Sequence, residues 1–278
     1  MVSNNINEEL YWNLFYLKNL FRDFKLLKSH LDYSKFIILG KGRSGSNFLR
    51  GLLNYHPNII VFGELFRDRD SIGWEFPFYD QYLQSSNLIS FMNKDPINFL
   101  EKKVFRRYHP QVLAVGFKLF YYHAQNDSRH LIWSYLKEQK TLKIIHLQRD
   151  NTLRELLSLR KAFKTNKWTN TDGMEEQEFS IKLEYEDCLQ EFTHSQEIKA
   201  KYNKFFQDHQ VINMIYENLS NDYETELKKL QDFLEVDYKP VKPLTYKQSK
   251  QPLKEAISNY YELKQKFQGT PWEAFFED

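Results

Sequence analysis

The feature that most constrains this fold is a repeated alternation between short apolar runs and stretches with helical periodicity. Helical patterns cover 47–55, the stretch from Thr152 onward and 223–234, and the apolar runs predict strands at 36–39, 58–62, 112–120, 142–147 and 211–216. Strand followed by helix, repeated along a chain, predicts an α/β fold with a mostly parallel central sheet flanked by helices. Because such sheets bind ligands at the carboxyl ends of their strands, the segments after the strands are the first candidates for a site.

The length of 278 residues predicts a single domain spanning 1–278, large enough for a sizeable core. Two segments, 67–111 and 165–180, lack clean periodicity and are aromatic or polar. Long insertions of this kind often cover a substrate, so we expect both to border the site.

The N-terminal segment 1–32 predicts a helix, because Leu10, Leu14, Leu17, Phe21, Phe24 and Leu31 recur at helical spacing. Interspersed lysines and arginines argue against a membrane span, and no secretory signal precedes them. We expect this helix to pack on the domain, with a membrane-surface helix or a homodimer contact as alternatives.

The net charge of +2 is nearly balanced and includes no dense basic block. Nucleic acid is therefore not expected as a partner, whereas an anionic small ligand fits. A single cysteine, Cys188, excludes an internal disulfide.

The loop after the first predicted strand, Gly40-Lys41-Gly42-Arg43-Ser44-Gly45-Ser46-Asn47, has the composition of an anion site. Backbone N–H groups at a helix start point at a ligand, glycines allow close approach, and Arg43 adds a bidentate cation. A nucleotide kinase or ATPase would need lysine where Ser46 stands and a hydroxyl where Asn47 stands.

A dinucleotide-binding loop is a closer rival, because Gly40, Gly42 and Gly45 match Gly-x-Gly-x-x-Gly and Glu64 lies 19 positions beyond Gly45. It would make the protein an NAD(P)-dependent oxidoreductase. Against it, Arg43 and a hydroxyl-rich run occupy the loop, and Glu64 is expected past the end of its strand. A non-enzymatic nucleotide-binding protein is the remaining alternative.

The segment FIILGKGRSGSNFLRGLL, residues 36–53, resembles the first strand, loop and helix of sulfotransferases that use 3′-phosphoadenosine 5′-phosphosulfate (PAPS), in particular the bacterial nodulation-factor and lipopolysaccharide type. The resemblance implies a P-loop-like sulfotransferase fold and PAPS as donor, with no metal. Arg43 would bind the 5′-phosphosulfate and Ser44, Gly45, Ser46 and Asn47 would wrap it. Lys41 and Gly42 belong to the same candidate site.

The block RDNTLRELLSLRKA, residues 149–162, resembles the family's 3′-phosphate motif and assigns Arg149 and Ser158 to that phosphate. The Gly63-Glu64 pair resembles the position of the proposed general base, which makes Glu64 the first candidate, with His123 and His56 as alternatives. Lys118 lies inside an apolar strand and is expected to meet either the sulfuryl group or an ion-pair partner.

These observations predict a cytoplasmic PAPS-dependent sulfotransferase that acts on a hydroxyl or amine of a small-molecule or carbohydrate acceptor, for example a specialised metabolite. Aromatic residues suit the wall of an acceptor site. They are Trp74, Phe76, Phe78, Tyr79, Tyr82 and Trp168, with Asp70 and Glu75 beside them. Lys247, Lys250 and Lys254 are candidates for a loop that closes on the nucleotide.

Overall fold

The structure, a computed structural model, describes residues 14, 17–67, 71–74, 84–168, 170, 178–243 and 251–277. Its centre is a five-stranded sheet in the order β2-β3-β1-β4-β5, and every pair of neighbours is parallel. The strands are β1 (Ser34–Gly40), β2 (Ile59–Glu64), β3 (Ala114–Phe120), β4 (Lys143–Gln148) and β5 (Val211–Ile215). All five strands predicted from the apolar runs are confirmed, and so is the α/β class.

Helices connect the strands and cover both faces of the sheet. They are α1 (Ser46–Tyr55), α2 (Ser86–Lys94), α3 (Pro96–Phe99), α4 (Leu131–Glu138), α5 (Thr152–Thr165), α6 (Tyr185–Phe205), α7 (Tyr216–Asn221), α8 (Tyr223–Phe233), α9 (Leu253–Ala256) and α10 (Tyr260–Phe267). A π-helical turn, Leu100–Val104, follows α3, and short 3₁₀ helices span Asp127–His130 and Glu273–Phe276. The side chain of Asn151 caps α5 by accepting a hydrogen bond from the Arg154 amide.

Alternate residues of each strand point to opposite faces, so the sheet separates two apolar cores. Ile37 and Leu39 of β1 face a core completed by α2 to α4 and the end of α6. Phe36 and Ile38 face a second core completed by α1, α7 and α8. Both cores leave the carboxyl ends of the strands as the edge on which polar loops gather.

The insertion 67–111 is not a loop over its second half. Helices α2 and α3 and the π-helical turn occupy 86–104 and place Met92, Phe99 and Leu100 in the first core. Trp74 is also buried, edge-on to Phe62 and Phe99, so its assignment to an acceptor wall is wrong. Residues 68–70, 75–83, 169, 171–177 and 244–250 lie outside the described part, and with them Asp70, Glu75, Phe76, Phe78, Tyr79, Tyr82, Lys247 and Lys250.

The N-terminal segment is helical at 14 and over 17–23. Its apolar side chains do not pack on the domain as expected: Leu17, Phe21 and Phe24 are all exposed. No helix in the described part of the chain is long and apolar enough to cross a membrane. The assignment of 1–278 to one domain stays a prediction.

A buried histidine ties the active edge of the sheet together from inside. His146 of β4 lies 2.6 Å, Nε2 to hydroxyl, from Tyr121 after β3, and its Nδ1 lies 2.8 Å from the amide oxygen of Asn203 on α6. Burial lowers the pKa of His146 to about 4, so the ring is neutral at physiological pH. An uncharged hydrogen-bonded imidazole thus joins β3, β4 and α6 without a buried charge.

We predict that acidification destabilises the fold through this residue. The folded-state pKa lies below the ordinary histidine value of 6.5, so the unfolded chain binds the extra proton between pH 6.5 and about 4. Stability is therefore lost as the pH falls through this window, by about 2 kcal/mol per such histidine at pH 5. Urea unfolding at pH 7 and pH 5 measures the loss. His146→Gln should lose less than the wild type, and an equal loss in both would contradict the assignment.

Candidate functional site

The loop between β1 and α1 is shaped by two left-handed residues. Arg43 has φ 71° and Gly45, the residue before α1, has φ 86°. The turn directs the free amides at the start of α1 outward, and the first turn of α1 carries no acidic residue. The hydroxyl of Ser44 donates to the Lys41 carbonyl at 2.7 Å and closes the loop on itself. The predicted anion loop therefore offers backbone donors, and Ser44 serves its shape.

Glycine is required at position 45 for contact as well as for conformation. A Cβ there would lie 2.1 Å from Cδ2 of Tyr216, the first residue of α7. The guanidinium of Arg149 covers the Tyr216 ring at 4.9 Å from its centroid. Gly45 thus lets an aromatic ring stand against the loop and carry a cation beside it.

The two arginines predicted to bind the donor meet at this loop. Arg43 donates through Nε to the Ser158 hydroxyl at 3.0 Å and through Nη1 to the Trp168 carbonyl at 2.6 Å. Arg149 donates through Nη1 to the Arg43 carbonyl at 3.3 Å and pairs with Glu217 at 3.4 Å. The structure therefore brings Arg43, Arg149 and Ser158 together from β1, β4 and α5.

Lys41 is also in the loop, but its ammonium points to two carboxylates that the sequence did not single out. Its Nζ is hydrogen-bonded to Glu191 of α6 and lies 3.5 Å from Oε1 of Glu155 on α5. Glu155 is buried, and burial raises its pKa against the attraction of Lys41 and Lys199. Glu155 occupies the apolar side of an amphipathic helix, and only that anomalous position could have marked it in the sequence.

Glu64 reaches the site because β2 contains a bulge. Phe62 pairs with Phe117 and Glu64 with Lys118, so Gly63 is the extra residue. Phe62 faces the first core, and regular alternation would send Glu64 to that face as well. The bulge turns Glu64 instead toward the face of Lys118 and α1. Glu64 is the last residue of β2 and not, as expected, beyond its end.

The segment after β2 fixes this carboxylate in place. The Gly73 amide donates to the Glu64 carbonyl at 3.0 Å. A Cβ on Gly73 would lie 2.3 Å from the Glu64 amide nitrogen, so no larger residue could approach as closely. The backbone at the end of β2 is therefore held on both sides, by β3 and by residues 71–74.

Lys118 joins Glu64 to the loop. Its Nζ lies 3.1 Å from Oε1 of Glu64 and donates to the side-chain oxygen of Asn47 on α1 at 2.6 Å. Burial lowers the pKa of Lys118, and the attraction of Glu64 opposes that shift. The predicted ion pair of Lys118 is thus present, and it connects the loop helix with the candidate base.

Charges around Glu64 keep it ionised. Burial by itself raises the pKa of Glu64, but Lys118, His123 and Arg67 together bring the pKa below its ordinary value. His123 Nε2 lies 3.7 Å from Oε2 of Glu64. The Phe120 amide donates to His123 Nδ1 at 3.1 Å, which places the ring proton on Nε2, toward Glu64.

His123 and His56 are separated by the structure. Burial lowers the pKa of His123 to about 4, so it is a neutral donor beside Glu64. His56 is buried at the far end of α1, and its Nε2 lies 3.0 Å from the Asp237 carbonyl oxygen. The alternative that made His56 the base therefore fails, because the length of α1 separates it from the loop.

The site combines an anion loop, two arginines and an ionised carboxylate on the carboxyl edge of a parallel sheet, which defines a group-transfer enzyme acting on an anionic donor. Among the described residues, no group of three or more His, Cys, Asp or Glu side chains is arranged to hold a metal ion. The chain belongs to the sulfotransferase family, which it matches over residues 35–240.

Named relatives and solved structures share this family. Nodulation protein H of Rhizobium tropici is 26% identical over 247 residues, covering 87% of this chain and 92% of that protein. Nodulation protein H of Rhizobium meliloti (strain 1021) is 26% identical over 256 residues, covering 90% and 97%. A sulfotransferase from Alicyclobacillus acidocaldarius aligns with a TM-score of 0.45 and 13% identity, covering 84% and 91%. A mouse sulfotransferase complexed with PAP aligns with a TM-score of 0.41 and 14% identity, covering 77% and 62%.

Family membership confirms the resemblance found in the sequence and shows that the protein is a sulfotransferase. Nothing favours the NAD(P)-dependent oxidoreductase or the non-enzymatic alternative. The Gly-x-Gly-x-x-Gly match at Gly40, Gly42 and Gly45 is therefore coincidental, and Glu64 lies beside Lys118 of the neighbouring strand.

We predict that Gly45→Ala destabilises the protein more than Gly269→Ala. Both glycines have positive φ, so both variants bear the strain of a left-handed alanine. Only Gly45 has Tyr216 in the way, since a Cβ on Gly269 meets nothing within 4 Å. Overpacking should add about 1–3 kcal/mol to the loss for Gly45→Ala, measured by urea unfolding. Equal losses in the two variants would show that Tyr216 does not restrict the loop.

Proposed function

We propose that this enzyme transfers a sulfuryl group from PAPS to a hydroxyl or amine of a small-molecule or carbohydrate acceptor. The observation that carries the proposal is the convergence of Arg43, Arg149 and Ser158 on a loop whose helix touches the Lys118–Glu64 pair. A cationic anion site and a carboxylate base are thus connected by one buried ammonium. A donor with two phosphate-like groups and an acceptor with a removable proton need both parts.

The donor site is assigned from the contacts of the loop. The amides that start α1 and the Arg43 guanidinium bind the 5′-phosphosulfate, and Lys41, Gly42, Ser44, Gly45, Ser46 and Asn47 shape that cradle. Arg149 and Ser158 bind the 3′-phosphate. Arg43 and Ser158 already share a hydrogen bond at 3.0 Å, which supports a site in which both phosphates of one nucleotide are held close together.

Glu64 is the general base of the proposed reaction. Its carboxylate takes the proton from the acceptor hydroxyl or amine as that oxygen or nitrogen attacks sulfur. The bond between sulfur and the bridging phosphate oxygen breaks in line with the attack, and adenosine 3′,5′-bisphosphate leaves. A lowered pKa keeps Glu64 ionised, although it also makes the base weaker than an ordinary glutamate.

Lys118 and Arg43 stabilise negative charge on the transferred group and on the leaving phosphate. Lys118 is suited to this because its ammonium is buried, fixed by Asn47 and Glu64, and needs no solvent reorganisation. His123 positions Glu64 through its Nε2 proton. No metal is required by this scheme, since cations and amides supply the charge that a metal would.

The acceptor site lies beside the loop at the aromatic surface that remains exposed. Tyr122, after β3, is half exposed, and a Cβ on Gly42 would lie 2.8 Å from its hydroxyl. Trp168 is partly exposed and packs edge-on to Phe163. These two rings replace Trp74 as the proposed aromatic wall, which suits a sugar or a flat metabolite. We place the reaction in the cytoplasm, where the buried free thiol of Cys188 stays reduced.

For the donor, we predict that Arg43→Ala weakens binding of adenosine 3′,5′-bisphosphate by about 10- to 100-fold, since a charge-assisted hydrogen bond is lost. Arg149→Ala should also erase the preference for PAPS over adenosine phosphosulfate. The matched control is Arg160→Ala, because Arg160 lies on α5 and pairs with Asp187 on the surface. Isothermal calorimetry on the three variants is the measurement. Wild-type affinity in Arg43→Ala, or intact discrimination in Arg149→Ala, would contradict the assignment.

For the base, we predict that Glu64→Gln lowers turnover by about 10²- to 10⁴-fold while bisphosphate affinity changes only a few-fold. The pKa of Glu64 is lowered, so wild-type turnover should lose its base only when the pH falls below the ordinary glutamate value of 4.5. Steady-state rates from pH 4 to pH 8 measure this limb. An inflection near pH 6.5 that disappears in His123→Gln would transfer the role of base to His123.

A further inference from the structure

Residues 17–31 form an exposed surface that the proposed reaction does not use. Seven large apolar side chains of this segment are exposed, and the greatest exposure is that of Phe24 at 69% and Leu26 at 70%. The seven are Leu17, Leu20, Phe21, Phe24, Leu26, Leu27 and Leu31. A contiguous apolar patch of this kind is uncommon on a protein that functions without a partner surface. We call this segment the apolar–basic segment.

Cations are interleaved with these apolar side chains. Lys18, Lys25 and Lys28 are all exposed. The segment contains a further cation, Arg22, and a single carboxylate, Asp23, which lies 3.8 Å from Arg106 of the π-helix to β3 connection. Lys103 and Arg107 also act on Asp23. The surface is therefore apolar with a positive field, and its own acidic group is already neutralised.

The apolar–basic segment is fixed to the body of the protein. His30 and Tyr108 exchange two backbone hydrogen bonds, at 2.9 and 3.1 Å. Arg107 donates to the Ser29 carbonyl at 2.9 Å and to its hydroxyl at 3.1 Å. Lys25 adopts φ 60° and ends the helical turn, and the Leu26 amide donates to the Phe21 carbonyl at 2.8 Å. The turn therefore presents Phe24 and Leu26 in a defined arrangement.

The segment lies at the amino end of the sheet. It leads directly into β1, and its anchors at 107 and 108 precede β3. The donor loop, Glu64 and Arg149 follow β1, β2 and β4 at the carboxyl end. An attachment through this segment would leave the site open toward the aqueous phase.

We propose that residues 17–31 dock this protein on the surface of anionic phospholipid membranes. Phe24, Leu26 and their apolar neighbours enter the interface between headgroups and acyl chains, and the interleaved lysines meet the lipid phosphates. Apolar burial and attraction to anionic lipids both contribute to binding of this type. A second protein surface would have to be strongly acidic to match the same pattern.

Vesicle co-sedimentation of the full chain tests the proposal. The protein should bind vesicles of phosphatidylcholine mixed with phosphatidylglycerol, bind pure phosphatidylcholine much more weakly, and be released by high salt. The double variant Phe24→Glu, Leu26→Glu should lose about 100-fold in partitioning, because both side chains leave the membrane interface. The matched control is Tyr261→Glu, since Tyr261 is 73% exposed on α10, and it should bind as the wild type does.

Three results would overturn the proposal. One is equal binding to neutral and anionic vesicles by wild type and double variant. Another is a dimer in sedimentation equilibrium that dissociates in the double variant, which would assign the segment to a second copy of the chain. The last is a monomer that ignores both vesicles, which would mean that residues 1–13 cover the apolar side chains. Sulfuryl transfer in solution is measured separately, so none of these outcomes depends on the reaction.

Discussion

The structure depends on one buried charge, the ammonium of Lys118 in the third strand. Both faces of a parallel sheet are covered, so an internal lysine would be costly without partners. Glu64 and Asn47 are those partners, at 3.1 and 2.6 Å. Glu64 can serve only because the bulge at Gly63 turns it to the right face, and Gly73 holds the bulge closed. The counterion that makes the lysine tolerable is therefore the same carboxylate that we propose as the base.

The donor loop is organised by cations that already have protein partners. Arg43 contacts Ser158 and the Trp168 carbonyl, Arg149 contacts Glu217, and Lys41 contacts Glu155 and Glu191. These contacts hold side chains from three strand ends in one place before any ligand is present, which reduces the entropy lost when the donor binds. An anionic donor exchanges some of these neutral or acidic partners for its own phosphates, so affinity is a difference between two sets of contacts.

Sequence reasoning located the strands, the donor loop and the Arg43, Arg149 and Ser158 group, because buried parallel strands are short apolar runs and their carboxyl ends must meet. It could pair Lys118 with an anion but not choose Glu64, since a bulge depends on backbone contacts between β2, β3 and Gly73. The pairing of Lys41 with Glu155 and Glu191 comes from the packing of α5 and α6, which no local pattern encodes. Trp74 was misassigned because a buried aromatic and a ligand-stacking aromatic have the same sequence signature.

A crystal structure with adenosine 3′,5′-bisphosphate tests the central claim most directly, that one edge of the sheet holds both donor and base. The account predicts the 5′-phosphate on the amides at the start of α1 and the 3′-phosphate within hydrogen-bonding distance of Arg149 and Ser158, with the Lys118–Glu64 pair facing the 5′ side. A nucleotide bound elsewhere, or bound in this loop with its 5′-phosphate turned away from Lys118 and Glu64, would contradict it.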